Sequence, residues 1–175
     1  MNYAGIIKVD LANGPGIRTS LFVSGCQFHC QDCFNEQQQD FGYGKPFTEQ
    51  TANKIIAEVA KPYNSGLSIL GGDPIWQSID GMADLERLCR AVRRLGGKTV
   101  WLWTGFTWEE LMIPPKVPDA TWLMQRELIM CCDVLVDGRY EKDHKDPSLK
   151  WAGSTNQRVI DVQKSFAIST VVLHE

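Results

Sequence analysis

Cys26, Cys30 and Cys33 stand close together in the run Ser24-Gly25-Cys26-Gln27-Phe28-His29-Cys30-Gln31-Asp32-Cys33. Thiolates so placed suit iron–sulfur chemistry. A [4Fe–4S] cubane normally takes four cysteines, so three leave one iron without a protein ligand and open to reaction. Zinc is the competing metal, because Cys₃His also closes a tetrahedral shell and His29 would be the fourth ligand. Structural zinc sites usually draw paired ligands from two separated knuckles, however, and no second Cys-x-x-Cys or Cys-x-x-His pair follows. Cys131 and Cys132 are adjacent, a poor arrangement for two ligands to one ion. Six irregularly spaced cysteines in 175 residues do not form a small secreted disulfide scaffold either. The cluster reading is therefore preferred.

Such a loop needs elements to hold it. Thr19–Val23 reads as a short buried strand feeding directly into the Cys loop. Thr48 is a candidate N-cap for a helix through about Ala60. Leu67–Leu70 forms a second strand ended by Gly71-Gly72-Asp73-Pro74. A helix then places Met82, Leu85, Leu88, Cys89, Val92 and Leu95 at spacings of three and four until Gly96-Gly97 stops it. Thr99–Trp103 is a third strand ended by Thr104-Gly105. A short helix from Thr107 and another from about Asp119 to Met130 lead to a fourth strand, Asp133–Val136, ended by Asp137-Gly138. Repeated β-α units predict four parallel strands joined by right-handed crossovers, with ligands at their carboxyl ends. The Cys loop and the three strand-ending turns then share one rim. The fold class is α/β, a single domain over residues 1–175. A complete eight-fold barrel takes roughly 250 residues, so this chain makes an open, partial one with mostly parallel strands.

Composition narrows the function classes. Hydrophobic residues make up 43% of the chain, enough for a core, and the formal charge of −3 gives no bulk attraction to nucleic acid or to anionic membranes. No apolar run approaches the roughly 20 residues a bilayer requires, and the N-terminus does not read as a signal peptide. A cytoplasmic, reducing setting is expected.

The three-cysteine spacing together with Gly71-Gly72-Asp73-Pro74 resembles the radical S-adenosylmethionine superfamily. More narrowly, Asn13-Gly14-Pro15-Gly16-Ile17-Arg18, Cys33-Phe34-Asn35, Val100–Gly105, Asp133–Gly138, Lys145–Leu149 and Gly153–Gln157 resemble the anaerobic ribonucleoside-triphosphate reductase-activating proteins, over about Asn2 to Val162. The resemblance implies one [4Fe–4S] cluster on Cys26, Cys30 and Cys33, and S-adenosylmethionine contacted by Asp32, Cys33, Phe34, Gly71, Gly72 and Asp73. It implies an electron from a donor such as flavodoxin, reductive cleavage to methionine and a 5′-deoxyadenosyl radical, and hydrogen removal from a glycine of the reductase, the protein partner. No side chain is expected to act as a general acid or base, because the hard chemistry belongs to the cofactor. Gly71 and Gly72 are expected to let the backbone approach the methionine end, and Asp73 either to accept from its ammonium or to cap the turn. Two departures stand out. His29 directly precedes Cys30, and Asp32 occupies a position where relatives commonly carry Gly. Another small radical enzyme, such as a different glycyl-radical activase or a 7-carboxy-7-deazaguanine synthase, is the alternative within the superfamily. A non-catalytic zinc or iron–sulfur module is the alternative outside it.

Other residues carry plainer expectations. Cys89 reads as core, and one of Cys131 and Cys132 as pointing inward. Trp101 and Trp103 share a strand face. His144 and His174 read as solvated. Arg18 and Asn13 are either structural or border the cofactor, and Lys142, Lys145 and Lys150 form either a solvated face or a docking segment. Residues 163–175 carry no assigned role.

Overall fold

Seven strands form one open sheet in the computed structural model, which describes residues 1–175: β1 (Asn2–Asp10), β2 (Ile17–Val23), β3 (Lys45–Pro46), β4 (Asn64–Gly71), β5 (Thr99–Trp103), β6 (Val134–Asp137) and β7 (Arg158–Asp161). Their order is β3-β1-β2-β4-β5-β6-β7. The central strands β2, β4, β5 and β6 are parallel, as the repeated β-α units predict. β1 and β3 on one side and β7 on the other run antiparallel and add to the four expected strands. Register shifts after Tyr3 and after Ile7 break the two-residue period of β1.

The helices begin where side chains satisfy their first N–H groups. Thr48 Oγ1 accepts from the Thr51 N–H at 3.3 Å and starts α1 (Glu49–Val59). Ser78 does the same for Gly81 at the start of α2 (Ile79–Arg94). A reciprocal box of Thr107 and Glu110 opens α3 (Trp108–Met112), and Asp119 caps α4 (Ala120–Met130). The segment without an assigned role contains most of a fifth helix, α5 (Val162–Ile168), capped by Asp161.

Alternation along the strands separates the two sheet faces. Leu21, Val23, Leu67, Ile69, Val100, Leu102 and Leu135 join helix residues in a continuous 23-residue core. Cys89, Cys131 and Cys132 belong to it; both members of the adjacent pair are buried, where one was expected. The opposite face carries Arg18, Ser20, Ser68, Trp101 and Trp103, with a smaller apolar cluster of Trp101, Val134 and Val136 backed by Trp151. No helix is long and apolar enough to cross a membrane.

Candidate active site

The Cys loop leaves the end of β2 and is braced by backbone. The Gly25 N–H donates to Gln38 O at 2.7 Å and the Cys26 N–H to Gln39 O at 3.0 Å. From the next strand end, the Gly72 N–H donates to Val23 O at 2.8 Å and the Asp73 N–H to Gly25 O at 2.7 Å. The Gly-Gly-Asp-Pro turn is thus bonded directly to the loop that carries the cysteines. A Cβ on Gly71 would lie 2.6 Å from Val23 O, and one on Gly72 would lie 2.6 Å from Gly25 O. The glycines make room first for the Cys loop itself, a nearer cause than the expected approach of a ligand.

Asp73 is 1% exposed, and its carboxylate is filled by protein donors. It accepts from the Ile75 N–H at 2.8 Å, from Thr104 Oγ1 at 2.9 Å and from the Gly105 N–H at 2.8 Å. Burial pushes its carboxyl up to about 6 against these hydrogen bonds. The side chain caps its turn and ties the end of β4 to the end of β5.

The strand ends meet around a cavity of about 640 Å³ whose wall includes Cys26, Cys30, Cys33, Phe34, Gly71, Gly72, Asp73, Thr104, Gly105 and Gly138. Trp103 and Asn13 also line it. Asp137 does not; it lies buried, accepting from the Trp108 N–H at 2.7 Å and paired with Arg158 at 2.5 Å. Asp32 is likewise absent from the wall, and its carboxylate lies 2.6 Å from Lys142 Nζ. Its φ of 55° is left-handed, a backbone conformation that Gly adopts more readily than Asp.

The three thiols are half-buried and unpaired. Burial pushes the Cys26 thiol up to about 12, with Asp73, Cys30 and Cys33 adding to the rise. Burial and Cys33 raise Cys30, while the Tyr140 backbone N–H and the Arg139 charge draw it down. Without metal Cys26 and Cys30 favour the protonated form; a bound iron centre would supply the positive charge that stabilises thiolate. No three His, Cys, Asp or Glu side chains are grouped to hold a single ion. Tetrahedral zinc with Zn–S near 2.3 Å would gather its thiolates to within about 4 Å. His29, the candidate fourth zinc ligand, instead places Nδ1 2.9 Å from Gln39 Oε1. Three thiols on one cavity wall are a donor set that suits an iron–sulfur cluster. The Asn35 N–H also donates to Cys33 Sγ at 3.4 Å, a contact typical of cluster ligands.

Some features were hidden in the sequence. Arg18 is fully buried, with Nε donating to Ser68 Oγ at 2.7 Å and a terminal nitrogen to Leu67 O at 2.8 Å. It is structural. His174 is half-buried rather than freely solvated, its ring edge-on to Trp101 at 5.1 Å. His144 is exposed and pairs with Glu141. Lys142 and Lys145 are neither freely solvated nor remote from the site. Lys145 Nζ lies 5.3 Å from the Phe34 ring centre. Gln157 receives the Gly153 N–H at 2.8 Å and donates to Gly138 O at 2.9 Å, holding together the base of the segment between β6 and β7. The Gly153–Gln157 motif marked this segment, but nothing local in it reveals those partners.

Residues 12–160 match the family model described as a 4Fe-4S single cluster domain. Named relatives agree along nearly the whole chain. An anaerobic ribonucleoside-triphosphate reductase-activating protein of Salmonella typhi is 37% identical over 162 residues, covering 91% of this chain and 97% of the relative. The protein of that name from Vibrio cholerae is 38% identical over 159 residues, covering 90% and 96%. The one from Enterobacteria phage T4 is 36% identical over 160 residues, covering 91% and 93%. With the cysteine loop, the Gly-Gly-Asp-Pro turn and the later motifs falling inside these matches, the chain belongs to the family of anaerobic ribonucleoside-triphosphate reductase-activating proteins.

Proposed function

We propose that this chain is a radical S-adenosylmethionine activating enzyme that generates the glycyl radical of anaerobic ribonucleoside-triphosphate reductase. The observation that carries the reading is one cavity whose wall includes both the three cysteines Cys26, Cys30 and Cys33 and the Gly71-Gly72-Asp73 turn. Cys26, Cys30 and Cys33 would hold three corners of a [4Fe–4S] cluster, and the methionine end of S-adenosylmethionine would lie along the Gly71–Asp73 backbone. Cys33 and Phe34, on the wall, are better placed than Asp32 to contact adenine. When bound, the reduced cluster supplies the electron that cleaves S-adenosylmethionine and so provides the radical that takes hydrogen from a glycine.

The residues of the chain position and enclose. Asp73 and Thr104 lock two strand ends together, so the cavity wall does not depend on a ligand for its shape. Phe28, Trp76 and Phe106 form an aromatic group beside the Cys loop, with Phe28 and Phe106 centred 4.9 Å apart, which limits water there. Four parallel strands, with helices on one face only, support a partial β/α barrel of the radical S-adenosylmethionine type. Its uncovered side suits a large protein substrate. A one-electron donor such as flavodoxin completes the scheme, and six free cysteines support a cytoplasmic location.

The test is low-temperature EPR of anaerobically reconstituted, reduced protein, with 5′-deoxyadenosine assayed in the same samples. A [4Fe–4S]⁺ signal altered by S-adenosylmethionine, nucleoside release and a glycyl signal on added reductase are expected. About one zinc per chain and no cluster signal would overturn the proposal.

A further inference from the structure

The segment that follows β6 returns to the Cys loop with positive charge. The Arg139 guanidinium lies 4.5 Å from the ring centre of Phe28, between Cys26 and Cys30 in sequence. Lys142 Nζ is 2.6 Å from the carboxylate of Asp32, between Cys30 and Cys33. Lys145 reaches Phe34, just after Cys33, and Tyr140 meets the same ring with centres 5.5 Å apart. Each stretch of the cysteine motif therefore receives a cation from one distant segment. That segment is itself held, by Gln157 at its base and by Trp103 Nε1 donating to Trp151 O at 2.8 Å.

Stability explains little of the Lys142–Asp32 contact. Both members of the Lys142–Asp32 pair are about half exposed, and ion pairs of that kind contribute about 0–1 kcal/mol. Charge beside an iron–sulfur cluster has a second effect, because net charge and surroundings set its reduction potential. Reduction adds one negative charge to the cluster, so neighbouring cations favour the reduced state.

We propose that Arg139, Lys142 and Lys145 are positioning residues that fix the Cys loop from its solvent side and raise the reduction potential of the cluster held there. The proposal rests on the cluster reading of the three cysteines. It also predicts opposite signs. Arg139 is shared with Glu110 at 3.1 Å, and Lys142 with Asp32, so removing an anion must act against removing a cation.

The experiment is an EPR-monitored redox titration of the reconstituted full chain, with iron per chain measured in parallel. At the wild-type midpoint, the reduced-to-oxidised ratio should fall about tenfold in the Arg139→Gln, Lys142→Gln double variant, a shift of 59 mV for a one-electron couple. Arg139→Lys should stay near wild type. Glu110→Gln should shift the ratio the other way while keeping α3 intact, since Gln also serves at the third position of a capping box. A double variant with the wild-type midpoint would overturn the proposal, as would Glu110→Gln moving in the same direction as Arg139→Gln. If the double variant fails to take up iron, the sign of the Glu110→Gln shift alone decides. A wild-type chain that shows no cluster signal rejects the cluster reading itself, an outcome separate from both.

Discussion

Along β4 and β5, Leu67, Ile69, Val100 and Leu102 face the helices, while Ser68, Trp101 and Trp103, one residue out of phase, face the other way. The same strands therefore serve two purposes at a period of two. The helix-covered face is continuous and apolar. The open face is mixed: buried polar groups such as Arg18 and Ser20, with Trp101 beside Arg18, lie toward the strand starts, and the cavity, bounded by Trp103 and Trp151, occupies the end where the strands stop. Substitutions on the first face should cost stability, and substitutions at the cavity end should change what the molecule can hold.

Leu102→Ala should have the largest effect. The side chain is fully buried among core neighbours, and such truncations cost about 2–5 kcal/mol. Chemical unfolding should show the loss, and iron uptake below the shifted midpoint should stay normal. Lost iron uptake in a still-folded variant would break the division between the faces.

Asp73 gives a pH-dependent contrast at the cavity end. Its folded value of about 6 lies above its ordinary value of 3.8, so the native state takes up a proton that the unfolded chain binds only at lower pH. The metal-free chain should gain stability as pH falls through 6 towards 3.8, by up to about 3 kcal/mol in all at 1.36 kcal/mol per unit, of which roughly 1 kcal/mol appears between pH 7 and pH 5. Asp73→Asn should lack that gain in thermal unfolding at pH 7 and pH 5. Asp10, also on the open face, behaves oppositely: burial opposes ionisation, but hydrogen bonds from Ser20, Asn13 and Ala12 outweigh it and lower its pKa. Its contribution is present at neutral pH and is lost as pH falls into the acid range.

The Gly72→Ala prediction is smaller and more local. Its Cβ would meet Gly25 O and Gln38 O, both backbone, and must push the Cys loop outward at roughly 1–3 kcal/mol. Iron per chain after reconstitution should drop. Gly5→Ala is the internal control, because a Cβ there meets nothing within 4 Å. Equal iron loss in both variants would show that the loss does not come from the Cys loop.

Much of the cavity end was legible because its signals are local. Thiol spacing, a Gly-Gly-Asp-Pro turn after an apolar strand and the β-α repeat each occupy a short window, and parallel topology brings the strand ends together. What the sequence hid depends on partners far apart in the chain. Asp32 reads as a cofactor contact until Lys142 is seen against it, and Arg18 reads as either structural or at the cofactor until Ser68 and Thr99 surround it. β1 escaped notice because two register shifts interrupt its alternation, and β7 because four residues carry too little pattern.

His174 tests the buried end of the open face most finely. Its ring stands nearly perpendicular to Trp101 at 5.1 Å, and Leu173 beside it bridges to Ile160 of β7. Aromatic pairs of this kind contribute about 0.5–1.5 kcal/mol beyond area burial. His174→Ala should therefore lower stability by about 1 kcal/mol or less and alter the tryptophan emission of the folded state. The cavity is bounded by Trp103 and Trp151, not by His174, so iron content and cluster potential should be unchanged. A potential that moved with this substitution would mean that the tryptophan-packed end communicates with the Cys loop, and that the open face acts as one unit.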